Sequence, residues 1–141
     1  MATKRDKKLY FRRGFKYVTT RDFYIELDVV PYEEIALPFV RMDMQGRTCV
    51  FARYAWNGAS GPTIDTLTSM IGSLVHDLGY QLIRLGLVAP EYKEYFDHLL
   101  TELCIEDGMW TCRAKIWEAF VLKFGNHSCR PSSEPKEEVA P

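Results

Sequence analysis

The sequence predicts an α+β fold, with N-terminal antiparallel β-strands followed by three α-helices, of which the first two form an αα-hairpin. Between Tyr10 and Tyr54 the chain is rich in β-branched and aromatic residues, whereas beyond residue 62 apolar residues recur at three- and four-residue steps. Strands first and helices second favour α+β over a parallel α/β sheet. The chain has 141 residues and is 47% hydrophobic, which predicts one globular domain over residues 9–125.

The strand region contains two segments with short alternations, residues 23–29 and 48–54. Alternating β-branched or aromatic and polar residues fit a pleated strand with one face buried. Pro31, Pro38 and Gly46 separate the segments, and both residue types favour turns. We therefore expect short strands joined by turns.

Three amphipathic helices are predicted after the Gly/Pro-rich residues 57–62. The first runs for about five turns, and its apolar residues are Leu67, Ile71, Leu74, Leu78, Leu82 and Leu85. The second carries Tyr92, Phe96, Leu99 and Leu103, and the third carries Trp110, Ala114, Trp117, Val121 and Phe124 before a stop at Gly125. A turn over residues 86–90 predicts the hairpin between the first two.

Charge is distributed unevenly along the chain. Residues 1–21 contain eight Lys or Arg and one Asp, so this segment carries +7 and the remainder −8. Residues 1–8 are predicted to be a basic flexible arm, because chain termini are commonly disordered. The alternative is a contact with nucleic acid or an anionic membrane surface. Residues 126–141, with three prolines and little to bury, are predicted to be a disordered tail.

The sequence also argues against several protein classes. No apolar run approaches the length of a membrane span, and no apolar signal-peptide segment follows the N-terminus, so we expect a cytoplasmic protein. The four cysteines lack the spacing of a zinc site or of a secreted disulfide scaffold.

Candidate chemistry is concentrated on the first predicted helix. His76, Tyr80 and Arg84 are spaced at i, i+4 and i+8 and therefore share one face. The imidazole exchanges a proton near neutral pH, and it lies beside the Asp77 carboxylate and one turn from a phenol. The alternative is a surface helix whose histidine merely caps or pairs.

Two further features extend this group. Gly58 lies eighteen residues before His76, in a loop of small residues whose carbonyls and amides can converge on one ligand. Asp97 lies twenty-one residues after His76, where the hairpin returns it to the imidazole. Carbonyls, a carboxylate and an oriented imidazole predict a calcium-assisted hydrolytic site. A phosphohydrolase-type metal site needs more histidines than His98 and His127 supply.

Residues 54–125 contain a characteristic series: Trp56-Asn57-Gly58-Ala59-Ser60-Gly61-Pro62, His76-Asp77, Tyr80, Arg84, Asp97 and Phe124-Gly125. This series resembles the domain-of-unknown-function family 1353 of tailed phages and prophages. The resemblance implies a phage protein, located in the bacterial host cytoplasm or in the virion, with other virion proteins as partners. Asn57 stands where the family usually has Asp, and Lys93 where it has Arg.

Part of this series, namely a glycine-rich loop, a helix with His76-Asp77 and Tyr80, and a following helix with Asp97, resembles the active-site skeleton of phospholipases A2, particularly the parvoviral coat type. The resemblance implies a catalytic group of His76 as base, Asp97 holding the imidazole and Tyr80 supporting Asp97. It implies calcium as cofactor and a phospholipid or other ester as substrate. The implied calcium ligands are Asp77 and the carbonyls of Trp56, Gly58 and Ser60, with the Gly58 amide in the oxyanion hole. Apart from this resemblance, we expect Asn57 and Arg84 to be further pocket residues. Ser60 replaces a preferred glycine, and the cysteine framework of secreted members is absent.

Three functions therefore remain open from the sequence. The first is a calcium-assisted, phospholipase A2-like ester hydrolase. The second is a non-catalytic virion, tail or assembly protein, in which the same polar residues form a hydrogen-bonded network that stabilises the fold. The third is nucleic-acid binding through the basic arm.

Overall fold

The structure is a computed structural model that describes residues 8–11, 16–58, 66–133 and 137–140. The element order within these residues confirms the predicted α+β class. The strands are β1 (Leu9–Phe11), β2 (Tyr17–Val18), β3 (Phe23–Glu26), β4 (Ile35–Ala36), β5 (Val40–Met42), β6 (Arg47–Val50), β7 (Ala55–Trp56) and β8 (Glu138–Ala140). The α-helices are α1 (Met70–Arg84), α2 (Lys93–Glu106) and α3 (Thr111–Phe124).

Four strands form an antiparallel sheet in the spatial order β3, β6, β5, β4. The register pairs Phe23 with Val50 and Met42 with Thr48. Successive side chains of a strand point to opposite faces, and one face of this sheet is the buried one. Its fully buried residues are Val40, Met42, Thr48 and Val50. Two further antiparallel pairs, β2 with β7 and β1 with β8, lie outside this sheet.

Helix α1 is buried around most of its circumference. Leu74, Leu78 and Leu82 belong to the apolar cluster that α1 shares with the sheet. His76 and Tyr80 are also buried. With Arg84 they form the polar stripe of α1, the face on which polar residues recur at i, i+4 and i+8. Since α1 and α2 pack against each other along their length, the predicted αα-hairpin is confirmed. Helix α1 is therefore not a surface helix, although its histidine does pair, with Asp97.

A second apolar cluster lies between α2 and α3. Its buried residues are Leu100, Cys104, Met109, Ala114, Trp117 and Val121. The α1–α2 hairpin thus contacts the sheet cluster on one side and the α3 cluster on the other. The polar residues of α1 that face α2 lie where the two clusters meet.

The sequence predicts a disordered tail over residues 126–141, and the structure differs in part of it. Residues Gly125–Cys129 and Pro131–Ser133 form 3₁₀ turns, and β8 pairs with β1. Cys129 packs against the main cluster, which gives this turn an apolar anchor that composition does not reveal. The basic arm predicted over residues 1–8 lies outside the described residues except for Lys8.

Two findings bear on the protein classes considered above. All four cysteines are free thiols. Among the helices of the described residues, none is both long and apolar enough to cross a membrane.

Helices α1 and α2 are tightly packed at Gly79, where an added Cβ would overlap the Phe96 ring. We expect Gly79→Ala to lower the free energy of unfolding by about 1–3 kcal/mol, because overpacking displaces side chains in a filled core. This loss opposes the gain of about 1 kcal/mol in helix propensity that alanine brings. Urea denaturation measures the change. In a Phe96→Leu background the same substitution should cost less, and an equal cost in both backgrounds would contradict this packing.

Candidate functional site

His76 and Tyr80 lie one turn apart on α1, with ring centroids 4.0 Å from each other. Their side chains are buried, with 5% and 4% exposure. Glycines at positions 72 and 79 let α2 approach α1 closely, because a Cβ at either position would press on α2 side chains. The α1 stripe therefore faces α2 at short range.

Asp97 reaches this stripe from α2 and has no exposed surface. Its Oδ1 atom accepts a hydrogen bond from the Nε2–H of His76 at 2.7 Å and one from the Tyr80 hydroxyl at 2.5 Å. The structure thus brings together the three residues that the sequence singled out as His base, orienting carboxylate and supporting phenol. They lie on two helices that are adjacent in sequence.

Lys93 is the fourth residue of this hydrogen-bonded group. In the sequence it stood out only because the phage family has Arg at this position. Its Nζ donates to Asp97 Oδ2 at 2.6 Å and to the Val121 carbonyl at 3.1 Å, with the Leu122 carbonyl at 3.5 Å. The side chain is 13% exposed. The available signal was its i, i+4 spacing to Asp97 on a predicted helix.

The donors around Asp97 determine its ionisation. Burial alone would raise its pKa, but hydrogen bonds from His76, Lys93 and Tyr80 outweigh burial and hold the pKa below its usual 3.8. Asp97 is therefore a carboxylate, which only accepts hydrogen bonds. Burial, followed by the hydrogen bond to Asp97, raises the pKa of Tyr80, so the phenol keeps its proton.

The same contacts decide which imidazole nitrogen carries the proton in neutral His76. Because Asp97 accepts from Nε2, Nε2 holds the hydrogen and Nδ1 has the free lone pair. Nδ1 lies 3.9 Å from Asp77 Oδ1, too far for a direct hydrogen bond. Burial disfavours the imidazolium, but Asp77 and Asp97 outweigh it, so the pKa of His76 lies above its usual 6.5.

Asp77 lies on the side of the site that is partly open to solvent, and 29% of its side chain is exposed. The start of the predicted calcium loop lies near the same part of α1, because Trp56 Nε1 donates to Ser73 Oγ at 3.1 Å and Ser73 is one turn before Asp77. Gly58 is buried and has a φ of 77°, a conformation that favours glycine. Asn57 is exposed, and Ser60 lies outside the described residues.

The turn after α3 lies against the phenol of Tyr80. A Cβ at Gly125 would overlap the Tyr80 hydroxyl, so only glycine fits where α3 ends. Burial raises the pKa of the nearby Cys129 thiol to about 11, which keeps it protonated. Arg84, the last residue of the α1 stripe, is partly buried. The sequence placed Gly125 in the phage-family series but assigned neither Gly125 nor Cys129 a contact with the site.

Comparison with protein-family models, with curated proteins and with solved structures found no match to this chain in any of the three. Both resemblances drawn from the motifs stay predictions. Within the described ranges, no group of three or more His, Cys, Asp or Glu side chains is arranged to hold a metal ion. This finding does not address a calcium site that consists mainly of carbonyl oxygens.

The charged contacts predict how stability depends on pH. Since the folded pKa of His76 is raised, its contribution is fully present below the unfolded value of about 6.5 and is lost as pH rises through the folded pKa. Since the folded pKa of Asp97 is lowered, its contribution is present above about 3.8 and is lost as pH falls through the folded pKa. The free energy of unfolding should therefore decline from pH 6.5 upward.

Replacing His76 by Gln should remove this decline and lower the free energy of unfolding at pH 6 by about 1–3 kcal/mol, because buried Asp97 loses a well-placed donor. Urea denaturation at half-unit steps between pH 5 and 8.5 measures both effects. Parallel profiles for the wild type and His76→Gln across this range would show that His76 does not couple folding to pH.

Proposed function

We propose that this protein is a small ester hydrolase with a phospholipase A2-like site, in which His76 is the base that activates water. The proposal rests on one observation: Asp97 binds the Nε2–H of His76 at 2.7 Å, which leaves Nδ1 as the proton acceptor. An imidazole whose tautomer is fixed, with one nitrogen left to accept a proton, is a suitable general base. Such a base removes the need for a serine or cysteine nucleophile.

The reaction follows from the atoms available. Nδ1 of His76 takes a proton from water, and the resulting hydroxide attacks the ester carbonyl carbon. The tetrahedral oxyanion then collapses, the bond to the alcohol oxygen breaks, and the proton held on Nδ1 passes to that oxygen. Asp97 stabilises the imidazolium while it exists, and Tyr80 keeps the Asp97 carboxylate oriented through its 2.5 Å hydrogen bond.

The water and the ester must approach past Asp77, because the His76 side chain is only 5% exposed and Asp77 is the more exposed neighbour. Nδ1 and Asp77 Oδ1 are 3.9 Å apart, so one water molecule can contact both. Asp77 therefore supports the delivery of water to the base.

The oxygen atoms available near His76 suit calcium as a cofactor. Asp77 is an accessible carboxylate, and the Trp56–Ser73 hydrogen bond holds the Trp56–Gly58 segment near the same face of α1. Asp77 and the carbonyls of Trp56, Gly58 and Ser60 would hold the ion, since calcium prefers carbonyl and carboxylate oxygens. Bound calcium supplies charge that offsets a developing oxyanion. The Gly58 amide is proposed as an oxyanion donor.

The biological setting is proposed from the motif resemblances alone. A phage-encoded hydrolase of this kind would act on phospholipid or another ester, in the host cytoplasm or from the virion. The competing proposal is a non-catalytic virion or assembly protein. Full burial of Asp97, with donors from three residues, favours it, because such a network also stabilises a fold.

His76→Gln separates these functions. In a hydrolase the substitution removes the base, so ester turnover should fall by about 10²-fold or more. The assay uses mixed phospholipid micelles and a soluble ester, each with and without calcium. His98→Gln is the matched control, because His98 is 55% exposed and pairs with Glu118 instead of Asp97; it should keep wild-type turnover.

A wild-type protein without turnover on any of these substrates, together with a destabilised His76→Gln variant, would rule out the hydrolase and leave the structural function. Equal losses of turnover in His76→Gln and His98→Gln would instead mean that the measured activity does not arise at this site.

Calcium binding gives an independent prediction. Millimolar calcium should raise the melting temperature of the wild type, because a ligand that binds only the folded state stabilises it. Asp77→Asn should remove most of this increase, whereas Asp107→Asn, at an exposed residue after α2, should not. Calorimetry that detects no heat, combined with an unchanged melting temperature, would contradict a calcium role.

A further inference from the structure

Helix α3 presents apolar side chains to solvent. One side of the helix packs into the cluster with α2 through Ala114, Trp117 and Val121. The other side carries Ile116, which is 63% exposed, and Ala119, which is exposed as well. These two residues are one turn apart and therefore adjoin on the helix surface. Helix α3 is thus apolar on its exposed side too, whereas the exposed side of a surface helix is typically polar.

Exposed aromatic residues lie at both ends of the same helix. Trp110, the residue before α3, is 80% exposed, and Phe124, its last residue, is 57% exposed. The Phe120 ring is partly buried, and its centroid lies 4.9 Å from that of Phe124. We call Trp110, Ile116, Ala119, Phe120 and Phe124 the α3 face. Single exposed apolar residues are ordinary, but a series along one helix is typical of a contact surface.

The charges of α3 are almost all positive. Its sequence contains Arg113, Lys115 and Lys123 and a single acid, Glu118. Glu118 is buried and accepts a hydrogen bond from Lys115, so it presents little negative charge to a partner. Lys123 Nζ lies 5.4 Å from the centre of the Phe124 ring, which places an ammonium group beside an exposed aromatic side chain. The α3 face is therefore flanked by cations.

The exposed acids that precede α3 in the chain lie in α2 and in the turn after it. They are Glu102, Glu106 and Asp107. An anionic partner would be repelled by these carboxylates and attracted by the cations of α3. Such a partner would therefore contact α3 and not the outer side of α2.

We infer that the α3 face is a docking surface for anionic phospholipid membranes, with α3 lying along the bilayer surface. Interfacial helices insert apolar side chains among the lipid headgroups, while lysines keep their ammonium groups at the phosphates. Tryptophan is enriched at the same depth of a membrane, which suits Trp110. The inference depends on no step of the proposed hydrolysis.

Other partners match the α3 face in part only. Lysine is depleted in protein–protein interfaces, whereas Lys115 and Lys123 lie on this surface. A second copy of the chain, docked through the same helix, would bring these cations against each other. Nucleic acid would contact the lysines but would leave Ile116 without an apolar partner.

Tryptophan fluorescence of the full chain measures this docking. Trp110 is exposed and Trp56 and Trp117 are buried, so an emission change on adding vesicles reports on Trp110. Vesicles of equal parts phosphatidylglycerol and phosphatidylcholine should shift the emission to shorter wavelength, and pure phosphatidylcholine should shift it far less. Calcium is left out so that the lipid stays intact. Trp110→Phe should lose the shift and still sediment with anionic vesicles.

Vesicle sedimentation of variants identifies the residues that bind. Ile116→Ser should lower the partition coefficient by about fivefold or more, because an apolar side chain leaves the contact. Ala119→Glu should lower it as much, and serves if the serine variant does not fold. Lys123→Gln should lower it by about threefold or more, on anionic vesicles only. Val30→Ser, at a residue 56% exposed in the strand region, and Arg41→Gln, at an exposed residue of β5, are the matched controls and should bind like the wild type.

Three results would overturn the inference. The first is a wild-type protein that does not bind anionic vesicles. The second is binding that persists in all the α3 variants but is lost when Lys7 and Lys8 are replaced by Gln, which would assign the contact to the basic arm. The third is an emission shift with soluble polyglutamate and none with vesicles, which would assign the face to an acidic protein. Each result can occur with or without ester turnover, so failure of this inference is separate from failure of the proposed function.

Discussion

The Asp97 carboxylate has no exposed surface, and its two oxygens accept hydrogen bonds from His76, Tyr80 and Lys93. A buried charge without such donors costs several kcal/mol. The relative position of α1 and α2 is therefore restricted to a register that delivers the two donors of α1, His76 and Tyr80, to Asp97. Lys93 extends the same restriction to α3 through the Val121 carbonyl. The apolar clusters on either side of α1 and α2 can pack only within these limits.

Charge compensation explains why polar groups can lie where two apolar clusters meet. With neutral His76, the network contains one ammonium and one carboxylate, so it carries no net charge. Protonation of His76 disturbs that balance, and Asp77, which retains contact with solvent, is the nearest group that can compensate. Stability and proton exchange thus involve the same atoms, so the arrangement is compatible both with the proposed hydrolytic site and with a purely stabilising network.

The helices and the hairpin were predictable because their apolar periodicity is local. The grouping of His76, Tyr80 and Asp97 was also predictable, since i, i+4 spacing and a helical hairpin fix it. The burial of the α1 polar stripe was not, because a polar stripe is typical of an exposed helix. It is buried by α2 and by the turn at Gly125, whose packing against Tyr80 depends on residues distant in sequence. Lys93 was missed for the same reason: two of its acceptors are backbone carbonyls of α3.

The short sequence distance within the site affects how the chain folds. Asp97 is 21 residues from His76 and 17 from Tyr80, whereas the Asp28–Tyr95 hydrogen bond, which joins the strand region to α2, spans 67 residues. Closing a short loop costs less chain entropy and is reached sooner than closing a long one. The polar group can thus assemble within an early helical hairpin, before the sheet has docked. Errors in strand pairing would then leave the arrangement of His76, Tyr80 and Asp97 intact.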